Sequence, residues 1–556
     1  MNTDVMVSPP AKTQNEKTTA HDVLAAIEAL YGQAKAHVLS LVKKGEKIDA
    51  GALDANQLAA HALAYVATEL EAGKQLLAWA EKSGDYEKKI ANAWIGELAR
   101  TLRAGVDLGA LENVGIAELG VDPKATIGAP KIVAWADEHA AGSVYLDIAR
   151  EARQRPADAR GGAHGLEDDL AAVQQEFRKF VVAEVEPIAQ KVHQDDVLIP
   201  IAILKKMADL GVFGLTIPEE HGGLGLSKVA MCVVTEELSR GYIGVGSLGT
   251  RAEIAAELIH GGGTPEQKST WLPRIASGDI MPTAVFTEPN NGSDLAHIGS
   301  RAEKTDAGWK FFGQKTWITH ATRANLMTVL ARSNPADTGY GGCSMFLVEK
   351  TSSPDEAKTE AELWPDNGLT GGEIKVLGYR GMKEYELSFD GYEAPKDALL
   401  GGVEGKGFKQ LMATFESARI QTAARGVGVA QSAIDLSFRY AEERIQFGKP
   451  IAEFPRVGRK LGRMIVRTQA ARQLTHFAAR QKDQGKRCDL EAGMAKLLAT
   501  KAAWEAADAG VQIHGGNGYA EEYVISRVLV DARVLSIFEG ANEIQAHVVA
   551  RRLLEI

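Results

Sequence analysis

The feature that most constrains the fold is a change of pattern in the middle of the chain. Between 282 and 401, short apolar runs such as 309–312, 316–319 and 345–348 are separated by Gly, Asp, Asn and Pro, which is typical of strands joined by turns. On both sides of this segment the apolar residues recur at helical spacing. The sequence therefore predicts a mainly α protein with one compact β domain at its centre.

The N-terminal region is also helical, but it contains no motif that carries chemistry. Leu24, Ile27 and Tyr31 are spaced by threes and fours, and later stretches repeat this pattern. Helices with one apolar stripe must bury that stripe against another apolar surface, so we predict that these helices form a small bundle. The segment 155–162 has no periodicity and ends in two glycines, which is typical of a linker. The predicted domains are a helical extension with its linker (1–160), an α-helical domain (161–281), the β domain (282–401) and a C-terminal helical bundle (402–556).

Charge and cysteine content exclude several classes of function. The 556 residues contain 63 Lys and Arg against 73 Asp and Glu, a net charge of −10 without a basic stripe, so a nucleic acid is not an expected partner. Cys232, Cys343 and Cys488 lie far apart, which argues against a metal site and a disulfide framework. The N-terminus has no apolar signal segment, and no window approaches 18 consecutive apolar residues. We therefore expect a cytoplasmic protein that does not enter the membrane.

Polar and aromatic residues of the β segment are candidates for holding a planar cofactor. The run 286–294 leads from a strand into a polar turn, and Trp317 and Thr319 follow later. An aromatic face beside hydroxyl groups, here those of Thr287 and Thr319, is what a large planar ring system needs. The alternative is a core Trp among turn-forming polar residues, and composition alone favours that alternative.

Two further candidates lie in the C-terminal region. His514 belongs to the glycine-rich run 512–518 after a predicted helix, where a helix C-cap and a structural histidine are the simpler interpretation. Glu539 stands beside apolar residues and ahead of the last helix. Apolar neighbours would raise the pKa of its carboxyl and make it a better base near neutral pH, whereas a helix N-terminus would lower that pKa. A solvated helix N-cap is the alternative for Glu539.

Seven segments in one order resemble the acyl-CoA dehydrogenase family over 165–556. In chain order they are 218–223 (PEEHGG), 286–294 (FTEPNNGSD), 317–319 (WIT), 415–419 (FESAR), 444–451 (RIQFGKPI), 512–516 (QIHGG) and 538–540 (FEG). One such segment alone would be weak evidence, but their order leaves little room for coincidence. The resemblance implies an α-helical domain, a β-barrel-like domain and a C-terminal four-helix bundle, here preceded by an extra helical bundle.

The resemblance implies an enzyme that uses FAD to oxidise an acyl-CoA thioester. Glu539 is implied as the base that removes the Cα proton. Contacts with FAD are implied for Phe286, Thr287, Gly292, Ser293, Trp317, Ile318, Thr319, Arg444, Gln446, Phe447, Gln512, Ile513, His514, Gly515, Gly516, Ala541 and Glu543. Contacts with the thioester substrate are implied for Ser293, Glu416, Arg419 and Gly540. The chain departs from the family pattern at Asn290-Asn291, Pro455 and Ala541, which removes no group that the chemistry requires.

The resemblance also implies partners. Hydride would leave Cβ for the flavin, and the electrons would pass to an electron-transferring flavoprotein. Arg444, Gln446 and Phe447, together with 512–516, would reach the FAD of a neighbouring subunit, which requires at least a homodimer. The N-terminal extension would cover the surface through which dimers of the family form tetramers.

Within the family, the extension and the segment 421–431 most resemble a branch that converts (2S)-methylsuccinyl-CoA to mesaconyl-CoA in the ethylmalonyl-CoA pathway, so the resemblance implies this reaction. The free carboxylate of this short branched dicarboxylic substrate needs a cation or several donors. Arg251, on the helix that lines the acyl pocket in the family, is our candidate, and a structural arginine paired with Glu253 or Glu257 is the alternative. Two other functions stay open: a butyryl- or isobutyryl-CoA dehydrogenase, and a flavin-containing relative recruited to DNA protection, against which the net charge argues.

Overall fold

The N-terminal extension is a helical bundle with two short hairpins. A computed structural model describes residues 17–109 and 111–555, so most of the polar N-terminal segment lies outside the described residues. Thr19 begins the first helix with a capping box, because its hydroxyl accepts from the N–H of Asp22 and its own N–H donates to the Asp22 carboxylate. The elements are α1 (Ala20–Val42), α2 (Ala50–Ala55), α3 (Gln57–Glu81), α4 (Asp85–Thr101), α5 (Pro130–His139) and α6 (Gly142–Arg153), with the antiparallel pairs β1 (Lys43–Lys44) and β2 (Lys47–Ile48), and β3 (Gly105–Gly109) and β4 (Glu112–Gly115).

The next region is helical, as predicted. It contains α7 (Asp168–Phe180), α8 (Glu186–Gln194), α9 (Ile201–Asp209), α10 (Lys228–Gly241), α11 (Ile243–Gly262) and α12 (Pro265–Ala276). One π-helical turn, Val181–Val185, joins α7 to α8. Almost all of α11 is buried, including the charged residues Arg251 and Glu253. A helix buried on all sides must satisfy its charges internally, which makes α11 a source of buried ion pairs.

The β domain is a seven-stranded sheet with the order β10-β11-β7-β6-β8-β5, and β9 also pairs with β8. Its strands are β5 (Pro282–Val285), β6 (Arg301–Lys304), β7 (Gly308–Thr319), β8 (Leu326–Arg332), β9 (Cys343–Glu349), β10 (Leu369–Ile374) and β11 (Glu384–Pro395), with the short helix α13 (Glu360–Leu363) before β10. The long strands β7 and β11 are antiparallel, and their register sets Glu384 opposite Thr319. An aromatic core that includes Trp309, Phe311 and Phe346 fills one side of the sheet.

The C-terminal region consists of long helices. They are α14 (Gly407–Glu443), α15 (Pro455–Asp483), α16 (Asp489–His514), α17 (Val524–Leu535) and α18 (Asn542–Leu554), and the hairpin β12 (Ile445–Gln446) and β13 (Lys449–Pro450) follows α14. The prediction of a mainly α protein with a central β domain is confirmed. Among the described residues, no helix is both long and apolar enough to cross a membrane.

The N-terminal extension docks onto the C-terminal helices through close helix contacts and buried ion pairs. Gly462 of α15 lies against the carbonyl of Tyr145 of α6, where a Cβ atom would overlap that oxygen. Glu97 of α4 accepts from Arg463 and Arg467 of α15 and from the Tyr145 hydroxyl. Burial would raise the pKa of Glu97, but Arg467, Arg463 and Tyr145 lower it to about 2. The extension therefore packs against the rest of the chain as part of one core.

Candidate active site

Glu539 lies on the turn that joins α17 to α18. The backbone φ is +53° at Glu539 and +88° at Gly540, so two successive residues adopt the left-handed conformation, which is costly for a glutamate. Lys496 of α16 holds this turn, because its ammonium donates to the carbonyl of Leu535 at 3.0 Å and to that of Gly540 at 2.8 Å. The Gln545 amide donates to the Gly540 carbonyl at 3.1 Å. The carboxylate is thus carried on a turn that is fixed from two helices.

The Glu539 carboxylate accepts hydrogen bonds from two buried arginines. Arg251 of α11 donates to Oε1 at 2.5 Å, and Arg425 of α14 donates to Oε2 at 2.5 Å. The Thr422 hydroxyl also donates to Oε2. Burial would raise the pKa of Glu539, but the charges of Arg425 and Arg251 and the hydrogen bond from Thr422 lower it to about 2.

This environment corrects the two sequence-based interpretations of Glu539. The expected apolar surroundings with a raised pKa are wrong, because two guanidinium groups and the Thr422 hydroxyl donate to the carboxylate. The alternative of a solvated helix N-cap is also wrong: Ala541 is the N-cap of α18, and the Glu539 side chain is 15% exposed. Glu539 is a buried carboxylate in a polar, positively charged pocket.

The alternative partners of Arg251 are engaged elsewhere. Glu253 accepts from Lys228 and from the Thr216 hydroxyl, and Glu257 accepts from Lys228 at 3.5 Å. The interpretation of Arg251 as a structural partner of Glu253 or Glu257 is therefore wrong. Among the described residues, its side chain hydrogen-bonds only to Glu539, and its Nε donor is buried without an acceptor.

Arg425 is more firmly held than Arg251. It is fully buried, and it donates to Ser247 Oγ at 3.1 Å, Tyr379 Oη at 3.3 Å and Thr422 Oγ1 at 2.8 Å besides Glu539. Its guanidinium also lies 4.9 Å from the centre of the Phe538 ring. Sequence reasoning missed Arg425, because an arginine within the Ala-rich helix α14 carries no local signal of its role.

A second buried carboxylate, Glu384, lies beside Thr319. Glu384 begins β11, and its Oε2 accepts from the Thr319 hydroxyl at 3.0 Å across the β7–β11 pair. Its Oε1 is buried and has no hydrogen-bond partner among the described residues. Burial raises the pKa of Glu384 to about 7, despite the hydrogen bond from Thr319 and the charge of Arg251. Sequence reasoning also missed this residue, whose only signal was an acidic side chain directly before a predicted strand.

The β domain carries seven of the predicted cofactor contacts. The N–H of Thr316 donates to the carbonyl of Thr287, so the start of the 286–294 turn runs beside the end of β7. Trp317 has a φ of +58°, and its side chain is 56% exposed. The alternative of a core tryptophan is therefore wrong. Ile318 and Thr319 are buried, Phe286 packs edge-on against Phe415, and Gly292 and Ser293 lie in the exposed part of the turn.

A second group of predicted cofactor contacts lies elsewhere on the chain. Arg444, Gln446 and Phe447 belong to the β12–β13 hairpin and its flanks, where Phe447 is 93% exposed. Gln512, Ile513 and His514 end α16, and Gly515 and Gly516 begin the following turn. His514 Nδ1 bonds the Gly510 carbonyl and its ring stacks on Tyr440, which agrees with a structural histidine. No hydrogen bond between described residues joins this group to Trp317 or Thr319.

The predicted substrate contacts are also distributed. Glu416 pairs with Lys482 at 2.9 Å. Arg419 is buried, and burial lowers its pKa. Gly540 is part of the Glu539 turn, whereas Ser293 lies in the exposed loop. Ala541 caps α18, and Glu543 in the first turn of that helix is exposed.

The residues present fit the FAD that the resemblance implies. Trp317, which is largely exposed, stands two positions before Thr319 on β7, and the Thr319 hydroxyl donates to Glu384. A planar ring can lie against such an indole, with the hydroxyl group at its edge. Chemically, the site combines a place for a flavin, a buried carboxylate on a fixed turn and two cationic side chains.

Comparison with known proteins identifies the three domains. Residues 167–279 match the family model of the acyl-CoA dehydrogenase N-terminal domain, 283–392 that of the middle domain and 405–554 that of the C-terminal domain. The chain is 52% identical over 549 residues to the (2S)-methylsuccinyl-CoA dehydrogenase of Cereibacter sphaeroides, which covers 97% of this chain and 98% of that protein.

Solved structures of related proteins share the fold of most of this chain. The butyryl-CoA dehydrogenase of Megasphaera elsdenii is 30% identical with a TM-score of 0.65, covering 70% of this chain and 99% of that one. A chain from a structure of the electron transferring flavoprotein of Acidaminococcus fermentans is 30% identical with a TM-score of 0.66, covering 71% and 100% respectively.

Proposed function

Because this chain belongs to the acyl-CoA dehydrogenase family, a family of FAD-dependent oxidoreductases that act on a CH–CH bond of acyl-CoA thioesters, we propose that its own substrate is (2S)-methylsuccinyl-CoA and its product mesaconyl-CoA. The similarity to the Cereibacter sphaeroides protein supports this substrate, because it runs through the N-terminal extension as well as the three shared domains.

The observation that carries the proposal is the surplus of buried positive charge around Glu539. At neutral pH two guanidinium groups, those of Arg251 and Arg425, face one fully ionised carboxylate, since the pKa of Glu384 is about 7. Both arginines also have a buried Nε donor with no acceptor among the described residues. Buried donors and charges without partners are costly, and a carboxylate on the acyl chain supplies the missing acceptor. A butyryl or isobutyryl chain would bring methyl groups instead.

The chain's own groups then account for the activation of the substrate. A Cα–H beside a thioester is a very weak acid, so its carbonyl must receive hydrogen bonds while a base takes the proton. The backbone N–H of Glu539 makes no hydrogen bond with a described residue and is free to donate to that carbonyl. The Glu539 carboxylate takes the proton, and Lys496 keeps its turn in place. Trp317, Thr287 and Thr319 would hold FAD, which would supply the acceptor for the hydride that leaves Cβ.

The remaining parts of the proposal concern partners and organisation. We propose an electron-transferring flavoprotein as the electron acceptor and a homodimer as the smallest active form. In support, no hydrogen bond between described residues joins 444–447 or 512–516 to Trp317 or Thr319. The proposal also includes four domains, at 1–160, 161–281, 282–401 and 402–556. The extension would cover the surface through which dimers of the family form tetramers, and the protein would be cytoplasmic. The DNA-associated alternative has no supporting feature, since the net charge is −10.

Anaerobic bleaching of the bound flavin tests the proposal. (2S)-Methylsuccinyl-CoA should bleach the flavin rapidly, whereas butyryl-CoA and isobutyryl-CoA should do so at least about a hundredfold more slowly, because they bring no carboxylate to the surplus of buried positive charge. Bleaching by the two monocarboxylic thioesters alone would keep the family and discard the dicarboxylic substrate. Retention of DNA in a gel shift, with no bleaching by any thioester, would favour the binding-protein alternative.

A further inference from the structure

We propose that the distal carboxylate of the substrate switches on the catalytic base: it draws Arg251 away from Glu539 and so frees the oxygen that accepts the Cα proton. This inference rests on the proposed function, because it requires a dicarboxylic thioester. It adds a coupling between recognition of the distal carboxylate and the basicity of Glu539. A static anchor for the distal carboxylate would only hold the substrate, whereas here substrate recognition and activation of the base are one event.

The two oxygens of Glu539 are held differently. Oε2 accepts from Arg425 and from the Thr422 hydroxyl, whereas Oε1 accepts only from Arg251. If Arg251 turns away, Oε1 is left with a free lone pair and Oε2 keeps its two donors. The carboxylate then stays oriented while one oxygen becomes able to take a proton.

The two arginines also differ in how firmly the surrounding residues hold them. Arg425 has three further hydrogen-bond partners, Ser247, Tyr379 and Thr422, and packs on the Phe538 ring. Arg251 has no other hydrogen bond with a described residue. Moving Arg425 would break a network, whereas moving Arg251 breaks one ion pair and forms another. Arg251 is therefore the partner that a second carboxylate can take.

The chemistry requires this exchange. A carboxylate whose two oxygens are paired with guanidinium groups is a weak base, and proton transfer follows the basicity of the acceptor. After the exchange, the Cα–H bond breaks and its proton goes to Oε1, the electron pair of that bond forms the Cα=Cβ bond, and the hydride leaves Cβ for the acceptor that bound FAD would supply. A monocarboxylic thioester leaves Arg251 on Oε1 and meets a weaker base.

No other charged group around Glu539, among the described residues, takes the place of Arg251 as a donor to Oε1. Lys496 is directed at backbone carbonyls of the turn, and Glu384 bonds the Thr319 hydroxyl. Five other charged or titratable groups in the described part of the chain face Glu539 and Arg251 from the elements packed around them. They are Arg425 on α14, Lys496 on α16, His320 after β7, Tyr379 before β11 and Glu384 at the start of β11. None of these donates to Oε1.

The first test replaces Arg251 and supplies a carboxylate separately. In Arg251→Met, turnover of methylsuccinyl-CoA should fall, but turnover of isobutyryl-CoA and butyryl-CoA should rise roughly tenfold or more over wild type, because Oε1 is no longer paired. In the wild-type holoenzyme, added formate should raise kcat for these monocarboxylic thioesters, and it should have no such effect in Arg251→Met. Arg274→Met, which removes an exposed arginine of α12, is the matched control.

The second test measures the wild-type holoenzyme, with Arg251 in place. Difference infrared spectroscopy on the holoenzyme, with Glu539→Gln to assign the carboxyl band, should show that mesaconyl-CoA raises the pKa of Glu539 and that crotonyl-CoA does not. Equal pKa values with both ligands, or monocarboxylic rates that do not rise in a folded Arg251→Met enzyme, would overturn the switch. These failures are distinct from failure of the proposed function, which would appear as wild-type enzyme that methylsuccinyl-CoA does not bleach.

Discussion

Replacing Lys496 with Met should separate catalysis from stability. The Lys496 ammonium is the only donor to the Leu535 carbonyl among the described residues, so its loss leaves one buried carbonyl unpaired, at a cost of about 1–3 kcal/mol. Burial lowers the pKa of Lys496 from 10.5 to about 7. At pH 7 that depression costs the fold roughly 4 kcal/mol, since the unfolded chain binds the extra proton. The variant should therefore be at least as stable as the wild type at pH 7.

The turnover rate of Lys496→Met should fall, although its stability at pH 7 does not. Without Lys496 the turn at Glu539, which has a φ of +53°, loses its main support, and a shift of about 1 Å at a base costs roughly a hundredfold in rate. We expect kcat to fall by about ten- to a hundredfold with little change in KM, and Lys496→Gln, which keeps one donor, to recover part of the loss.

Steady-state kinetics and thermal unfolding at two pH values measure both effects. The stability advantage of Lys496→Met should shrink by roughly 2 kcal/mol between pH 7 and pH 9, because the cost of the depressed pKa falls as pH rises toward 10.5. Lys501→Met is the control on the same helix, since its ammonium reaches the Asp107 carbonyl of the extension instead. Unchanged kcat in Lys496→Met, or a large loss of Tm at pH 7, would refute the reasoning.

Three further predictions concern the site and the extension. Glu539→Gln should abolish bleaching, with a loss of about 10²–10⁴-fold or more, while binding of the thioester still perturbs the flavin spectrum; residual bleaching at the wild-type rate would exclude Glu539 as the base. The pKa of Glu384 is raised to about 7, so the folded chain binds the extra proton between pH 4.5 and 7, and wild-type stability should fall by roughly 3 kcal/mol as pH rises through that window. Glu384→Gln should remove that fall in pH-dependent unfolding, and an identical pH dependence in both proteins would contradict it. Gly462→Ala should lower stability by about 1–3 kcal/mol through overlap with the Tyr145 carbonyl, with bleaching rates unchanged; calorimetry that shows no loss of Tm would contradict the close contact.

The order of helical and β regions could be predicted because it depends on local periodicity. Apolar spacing over a few turns identified the helices, and short runs between turn residues identified the β domain. The two hairpins of the extension were missed, since strands of two to five residues, such as Lys43–Lys44 and Gly105–Gly109, are too short to show a period.

The surroundings of Glu539 could not be predicted because they are not local. Its partners Arg251, Thr422 and Arg425 lie 288, 117 and 114 residues away in the chain. Glu384 meets Thr319 only through the register of β7 and β11, which contains an irregularity between Tyr385 and Leu387. The sequence identified the carboxylate, but the sign of its pKa shift depended on which distant side chains the fold brings to it.

A structure of the holoenzyme with bound mesaconyl-CoA is the most direct test of the central claim that this pocket recognises a distal carboxylate through Arg251. We predict that the distal carboxylate lies within hydrogen-bond distance of the Arg251 guanidinium, that Arg425 and Thr422 still contact Glu539 Oε2, and that Oε1 faces the Cα atom without Arg251. A complex in which Arg251 remains on Glu539 and the distal carboxylate lies elsewhere would contradict the account.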